Sequence, residues 1–195
     1  MNISRDYLAE LLRSKETVFT TKDAALLWKE GDPTSIKQRL YRYAKAGKLF
    51  RIRGGIYAKD DQYNKYELAT NIYTPAYISF ETVLRNEGII FQYYSQTFVA
   101  SYIKRDLVIG ANTYVYKSVP RRVLLNPAGI HSGETYAIAS AERAFLDTLY
   151  VYKSYFFDNL RSINWDKVYE LLPLYESPRL TKEVREQQQD AATRY

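Results

Sequence analysis

The chain has 195 residues and a net charge of +6, with 46% hydrophobic and 26% charged residues. This composition is typical of a soluble globular protein. The absence of cysteine excludes disulfides and thiolate metal sites. No apolar run reaches the length of a membrane span, and no basic segment leads into an apolar one at the start. We therefore expect a cytoplasmic protein without a membrane partner.

The positive charge is concentrated in the first third of the chain. Residues 1–59 hold 13 Lys and Arg against 6 Asp and Glu, whereas residues 60–195 hold 15 against 16. A solvated surface normally mixes both signs, but all the charged residues of 33–59 are basic. This pattern indicates that the segment meets a polyanion. Its eight basic residues are Lys37, Arg39, Arg42, Lys45, Lys48, Arg51, Arg53 and Lys59.

Residues 1–60 predict a helix, a short extended segment, two helices and a hairpin, in that order. Thr21 is the expected N-cap of the second helix, and Asp32 with Pro33 predicts the start of the third. This order is that of a winged helix-turn-helix, a fold that binds DNA. In the same order, the expected bounds of these five elements are Ile3–Ser14, 17–20, Lys22–Trp28, 33–47 and 48–59.

The third helix has an apolar stripe and a polar face. The stripe, which we expect to pack on the first two helices, consists of Ile36, Leu40, Tyr43 and Ala44. Arg39 lies nearer this stripe and is interpreted as structural or as a phosphate clamp. The free face presents side chains that hydrogen-bond base edges or phosphates. The predicted DNA contacts on this helix are Thr34, Ser35, Lys37, Gln38, Tyr41, Arg42 and Lys45.

The hairpin allows two alternative turns. A three-residue loop over residues 53–55 pairs Ile52 with Ile56. A two-residue Gly-Gly turn pairs Arg53 with Ile56 instead and breaks the alternation of inward and outward side chains. We favour the longer loop.

The longer loop sets the orientation of the hairpin side chains. It pairs Phe50 with Ala58 on an inner face and leaves Arg51 and Tyr57 outside. It also puts Arg53 at the tip, where an arginine can reach a phosphate or the minor groove. We therefore add Arg51, Arg53 and Tyr57 to the predicted DNA contacts.

Residues 61–195 predict a second domain that contains both helices and strands. Three runs rich in β-branched and aromatic residues predict a small sheet at Thr97–Ile103, Asn112–Val119 and Arg122–Leu125. Helices are expected at Tyr66–Tyr73, Phe80–Glu87, Trp165–Leu172 and from a Ser140 cap to Tyr152. A polar tail follows at 176–195, which from Thr181 is either helical or frayed. The expected fold class is α+β, with a winged helix-turn-helix at 1–60 followed by a mixed α/β domain.

The sequence contains no recognisable catalytic constellation. A single histidine, His131, cannot form a multi-histidine metal site without cysteines, and no glycine-rich phosphate loop is present. We therefore expect no enzyme, no catalytic or metal site and no cofactor. The second domain carries two basic pairs, which are interpreted as solvated loops or as a second contact surface: Lys104, Arg105, Arg121 and Arg122.

Three segments resemble the AbiEi-type antitoxins. The first is the helix with its hairpin, above all Leu49–Tyr57. The second is Tyr77–Leu84 followed by Gly88, and the third is Ala137–Asp147. The segments occur in the family's order, and the resemblance covers about residues 1–160.

The resemblance implies the antitoxin of a type IV toxin–antitoxin pair, a system of abortive phage infection. Its winged helix would bind inverted repeats in the promoter of its own operon and repress it. Its C-terminal domain would neutralise a nucleotidyltransferase-like toxin without a stable complex. The implied state is a monomer or weak dimer, with two copies on the DNA.

Two other functions are compatible with the sequence. One is a stand-alone winged-helix transcriptional regulator whose second domain senses a ligand or dimerises, and a nucleotidyltransferase-like neighbouring gene would favour the antitoxin over it. The other is an accessory module whose winged helix binds a protein. Salt dependence separates this module from a DNA-binding protein, because phosphate contacts weaken steeply with salt.

Overall fold

The structure is a computed structural model that describes residues 6–194, except for the side chain of Arg194. Over these residues the fold is α+β with small sheets, and it divides into two compact units between Ile72 and Tyr73. The first unit therefore extends beyond the predicted boundary at residue 60. The expected start of the first helix at Ile3 lies outside the described residues.

The described part of the first unit contains four helices and three short strands. In chain order these are α1 (Tyr7–Arg13), β1 (Val18–Thr20), α2 (Thr21–Trp28), α3 (Pro33–Lys45), β2 (Phe50–Arg53), β3 (Ile56–Ala58) and α4 (Lys65–Ile72). The sheet has the order β1-β3-β2, and all its pairs are antiparallel.

Polar side chains cap the first three helices. Asp6 accepts hydrogen bonds from backbone N–H groups at the start of α1. Thr20 caps α2 in a capping box with Asp23, so the predicted cap at Thr21 is displaced by one residue. Asp32 caps α3, and Pro33 is its first residue, as predicted.

The core of the first unit lies between its helices and its sheet. Trp28 is fully buried, and its indole Nε1 donates to the carbonyl oxygen of Tyr7 at 2.9 Å, which joins α2 to α1. The other buried members of this core are Leu11, Phe19, Ala24, Ile36, Leu40, Leu49 and Tyr57.

The hairpin has the shorter of the two turns. Phe50 pairs with Ala58 as predicted, but Arg53 pairs with Ile56, and the register shifts between Arg51 and Arg53. The predicted Ile52–Ile56 pair is therefore wrong. A bulge at Ile52 absorbs the extra residue and allows a two-residue turn, in which Gly55 has a φ of +78°.

Tyr57 is also placed differently from the prediction. It is only 4% exposed and belongs to the core, whereas we expected it outside. Tyr57 is buried because its strand, β3, also pairs with β1. Because β1 pairs with β3, Phe19 lies opposite Tyr57, and both side chains face the helices.

The carboxylate of Glu67 attaches α4 to the first unit. This side chain is fully buried and accepts hydrogen bonds from the backbone N–H and hydroxyl of Thr17 and from the N–H of Val18, at 2.6–3.1 Å. The unit therefore continues through residues 61–72, because the acceptor for the start of β1 lies on α4.

The second unit contains six strands and five helices in its described residues. In chain order these are β4 (Ala76–Ile78), α5 (Phe80–Asn86), β5 (Thr97–Ser101), β6 (Arg105–Ile109), β7 (Asn112–Ser118), α6 (Arg121–Leu124), β8 (Ile130–Ser132), β9 (Ala137–Ala139), α7 (Ala141–Tyr152), α8 (Trp165–Leu171) and α9 (Pro178–Arg194). A 3-10 turn at Leu172–Tyr175 joins α8 to α9.

The strands of the second unit form one mixed sheet with the order β6-β7-β5-β4-β9-β8. The pairs β5–β7 and β4–β9 are parallel, and the others are antiparallel. One prediction differs from this arrangement, because the strand expected at Arg122–Leu125 is the short helix α6. The polar tail expected at 176–195 includes the helix α9, which buries Leu180, Val184 and Ala191.

A charged pair on α7 lies in the core of the second unit. Arg143 and Asp147 are both fully buried. Asp147 accepts hydrogen bonds from Tyr77, Ser79 and Tyr175 at 2.7–3.0 Å. Burial raises the pKa of Asp147, although Arg143 acts in the opposite direction. The segment Ala137–Asp147, which carries part of the antitoxin resemblance, thus holds a structural network.

Candidate nucleic-acid interface

Helix α3 presents one face to the core and the opposite face to solvent. Ile36 is 2% exposed and Leu40 is fully buried, so these two residues fix the rotation of the helix. Tyr41 on the other face is 50% exposed. The other predicted contacts that are exposed on α3 are Thr34, Lys37, Gln38, Arg42 and Lys45, while Ser35 is half-buried.

Arg39 packs α3 against the first two helices. Its guanidinium carbon lies 3.8 Å from the centre of the Tyr7 ring and 5.1 Å from that of Trp28. Its Nη1 atom is buried and makes no hydrogen bond to the described residues. The stacking supports the structural interpretation of Arg39. The sequence of α3 does not reveal this stacking, since Tyr7 and Trp28 lie on other helices.

The hairpin carries two further exposed arginines of the first unit. Arg51 and Arg53 lie on β2, and both are exposed. Lys48, which the prediction left out, is also exposed between α3 and β2, and its backbone N–H donates to the carbonyl of Tyr43 at 2.9 Å. Tyr57 is buried and is therefore not a surface contact.

The exposed basic side chains have no internal partner in the part of the chain that the structure describes. No hydrogen bond or ion pair there engages the charged groups of Lys37, Arg42, Lys45, Arg51 or Arg53. Lys59 differs, because its Nζ donates to the carbonyl of Ser14 at 2.6 Å. The charged group of Lys48 likewise has no partner there, so six cations are available to an external anion.

Acidic residues lie before and after the segment that carries these exposed cations. The hydroxyl of Ser35 and the backbone N–H groups of Thr34 and Ser35 donate to Asp32, and these bonds lower the pKa of its carboxyl. Asp32 therefore occupies the amides at the start of α3 and stays ionised at neutral pH. Asp60 and Asp61 follow β3 and line a cavity of about 420 Å³ with Arg51. The free cations lie between these two acidic positions along the chain.

The basic pairs of the second unit have different surroundings. Lys104, Arg105 and Arg121 are exposed. Arg122 donates to the carbonyls of Leu174 and Tyr175 at 3.2 and 2.8 Å and pairs with Glu176 at 3.1 Å. Arg122 therefore holds α6 to the following 3-10 turn rather than standing free for a ligand.

Within residues 6–194 we also looked at metal-binding groups, the histidine and membrane-spanning helices. No group of three or more His, Asp or Glu side chains there could hold a metal ion. His131 is exposed on β8. None of the described helices combines the length and the apolar character that crossing a membrane requires.

Comparison with known proteins adds no family. No protein-family model matches the chain, and no curated protein matches it either.

Proposed function

We propose that the first unit is a winged helix-turn-helix that binds double-stranded DNA. In this proposal α3 enters the major groove, and the β2–β3 hairpin is the wing. The observation that carries it is the set of five exposed cations without internal partners, on the free face of α3 and on β2. A solvated basic face would be expected to carry acidic residues between the basic ones, and α3 has none after its cap.

The side chains of α3 divide into two roles in this proposal. Gln38 and Tyr41 are exposed and hydrogen-bond through neutral groups, so they suit base edges. Lys37, Arg42 and Lys45 flank them and suit phosphates. Arg51 and Arg53 on the wing would add phosphate or minor-groove contacts.

We further propose that the chain is an autoregulating antitoxin of a type IV system. It would repress its own operon through inverted repeats and neutralise a nucleotidyltransferase-like toxin without a stable complex. The resemblance of residues 1–160 supports this part of the proposal. The runner-up function is a stand-alone regulator with the same DNA-binding unit.

Growth measurements separate the antitoxin from the stand-alone regulator. The product of the neighbouring gene is expressed under tight control, with and without this chain. We expect growth arrest that co-expression of the chain relieves. Arrest that persists with the chain present, or a neighbouring product that is harmless, would contradict the antitoxin function and leave the DNA-binding proposal intact.

A further inference from the structure

Strand β6 forms one edge of the sheet in the second unit. All of its residues pair with β7, and the register contains no bulge. A two-residue turn joins the two strands, so the pair that closes this hairpin, Ile109 and Asn112, exchanges both of its backbone hydrogen bonds. Hydrogen-bonded residues alternate along an antiparallel ladder. The backbone N–H and C=O groups of Asp106 and Val108 therefore point away from β7.

The outer edge of β6 is open among residues 6–194. Neither Asp106 nor Val108 makes a hydrogen bond there outside its pairing with β7. The side chain of Val108 is 68% exposed, and the charged groups of Arg105 and Asp106 have no ion-pair partner in this part of the chain. Unpaired backbone groups in a row are a template for pairing with another strand.

The other sheet edges that the structure describes have features that hinder such pairing. At the start of β1, backbone N–H groups already donate to the carboxylate of Glu67. Strand β2 has a bulge and two exposed arginines. Strand β8 has only three residues, of which His131 and Ser132 are polar and exposed. With five residues, β6 is the longest of the four edges, and it has neither a bulge nor a proline.

The sequence of β6 is complementary to itself in one antiparallel register. When Leu107 lies opposite Leu107 of a second copy, Asp106 of each strand lies opposite Val108 of the other, and Arg105 lies opposite Ile109. This register pairs both outward residues of each strand through four backbone hydrogen bonds, and it opposes no like charges. A shift by two residues in either direction leaves outward groups unpaired within β6, and one of these shifts sets Asp106 against Asp106.

We propose that two copies of the chain associate through β6 in this register, so that their sheets join across a two-fold axis. The occupant of the edge is a second copy because the free backbone groups, the apolar positions and the charges all match those of the same strand turned around. One pair of short strands makes a small contact, so we expect a weak, concentration-dependent dimer. Strand β6 belongs to the second unit, and the proposal does not depend on DNA binding.

Single cysteines test the register in the full chain, which contains no cysteine of its own. Residues opposite each other in a non-hydrogen-bonded antiparallel pair have Cα atoms about 4.5 Å apart, which a disulfide can span. Under mild oxidation Leu107→Cys should therefore give a covalent dimer on a non-reducing gel.

Ile109→Cys is the matched control, since Ile109 is also half-buried and lies on the same side of β6 as Leu107. In the proposed register its two copies lie four residues apart along the strands, about 13 Å, and should not cross-link. No cross-linking of Leu107→Cys, or equal cross-linking of both variants, would contradict the proposal.

Charge variants at Val108 test the same register without a covalent bond, and they decide if Leu107→Cys does not fold. Val108→Asp puts a second carboxylate opposite Asp106, whereas Val108→Lys puts an ammonium there. In sedimentation velocity we expect the lysine variant to dimerise at least about fivefold more tightly than the aspartate variant. The net charge of +6 favours the reverse order, because aspartate lowers the general repulsion between copies. Equal dissociation constants, the reverse order, or a wild-type chain that stays monomeric at its highest soluble concentration would contradict the proposal.

Discussion

Arg39 and Arg42 lie one turn apart on α3 and have opposite surroundings. Arg39 stacks on Tyr7 and approaches Trp28, whereas Arg42 is exposed and has no partner among residues 6–194. An arginine over a ring contributes both packing and a cation–π attraction. Arg39 therefore supports the orientation of α3, whereas Arg42 is free for the proposed contact with DNA.

We expect Arg39→Ala to lower the free energy of unfolding by about 1–2 kcal/mol, because it removes the stacking on two rings. Urea unfolding of the full chain measures the change. Arg42→Ala is the matched control, and it should alter the unfolding free energy by less than about 0.5 kcal/mol. Equal losses in the two variants would show that the stacking of Arg39 does not stabilise the fold.

Glu81 is a buried carboxylic acid with only one of its two oxygens hydrogen-bonded among the described residues. Tyr152 donates a short hydrogen bond to its Oε1, and its Oε2 has no hydrogen-bond partner among the described residues. Burial raises the pKa of Glu81 above the ordinary value of 4.5, although Tyr152 and Lys117 act in the opposite direction. The folded state therefore holds a proton that the unfolded state releases more easily.

The raised pKa of Glu81 gives stability a definite pH dependence. The contribution of this group is full below the unfolded pKa and is lost as pH rises through the folded pKa. Between about pH 5 and about pH 7.5 the free energy of unfolding should therefore fall less in Glu81→Gln than in the wild-type chain. Urea unfolding at both values measures this, with Glu170→Gln on the exposed surface of α8 as the control. The same pH dependence in the wild-type chain and Glu81→Gln would contradict the account.

At the scale of elements, α4 decides where the first unit ends. The carboxylate of Glu67 accepts every hydrogen bond that joins α4 to Thr17 and Val18 in the described contacts. A fragment of residues 1–60 would leave these donors without an acceptor. It would also expose the side of β1 on which α4 packs.

We expect the fragment of residues 1–72 to unfold cooperatively in urea. The fragment of residues 1–60 should be less stable by at least about 3 kcal/mol, since an unsatisfied buried donor costs about 1–3 kcal/mol. Circular dichroism during urea unfolding compares the two, and Glu67→Ala in the longer fragment separates the carboxylate from the rest of α4. Equal stability of the two fragments would place the boundary at residue 60.

Elements with local end signals could be predicted from the sequence. Asp32 and Pro33 predicted the start of α3, and Ser140 predicted that of α7, since a cap lies next to the helix it begins. The bounds of α3 in turn predicted which of its side chains are exposed. This is why most of the candidate DNA surface could be predicted.

Features that depend on distant partners could not be predicted. The orientation of Tyr57 follows from the pairing of β3 with β1, which the hairpin sequence does not contain. Likewise α6 was expected to be a strand, but Arg122 binds carbonyls at Leu174 and Tyr175 that its own sequence does not indicate. The stacking of Arg39 was inaccessible for the same reason.

At the scale of the whole molecule, the two units differ in charge and in chemistry. The basic excess belongs to residues 1–59, and the remainder of the chain is nearly neutral. The second unit instead has a buried charged network. DNA binding is accordingly proposed for the first unit alone.

The salt dependence of DNA binding tests the central proposal most directly. Fluorescence anisotropy with DNA from upstream of the chain's own gene gives the slope of log affinity against log salt. Each phosphate contact contributes about −0.9 to this slope. The double variant Arg51→Ala/Arg53→Ala is compared with Lys167→Ala/Arg185→Ala, which removes the same charge from exposed positions on α8 and α9. We predict a steep slope that the wing variant flattens by about 1–2 and the control variant leaves unchanged. A slope near zero, or equal flattening by both variants, would contradict a DNA-binding wing.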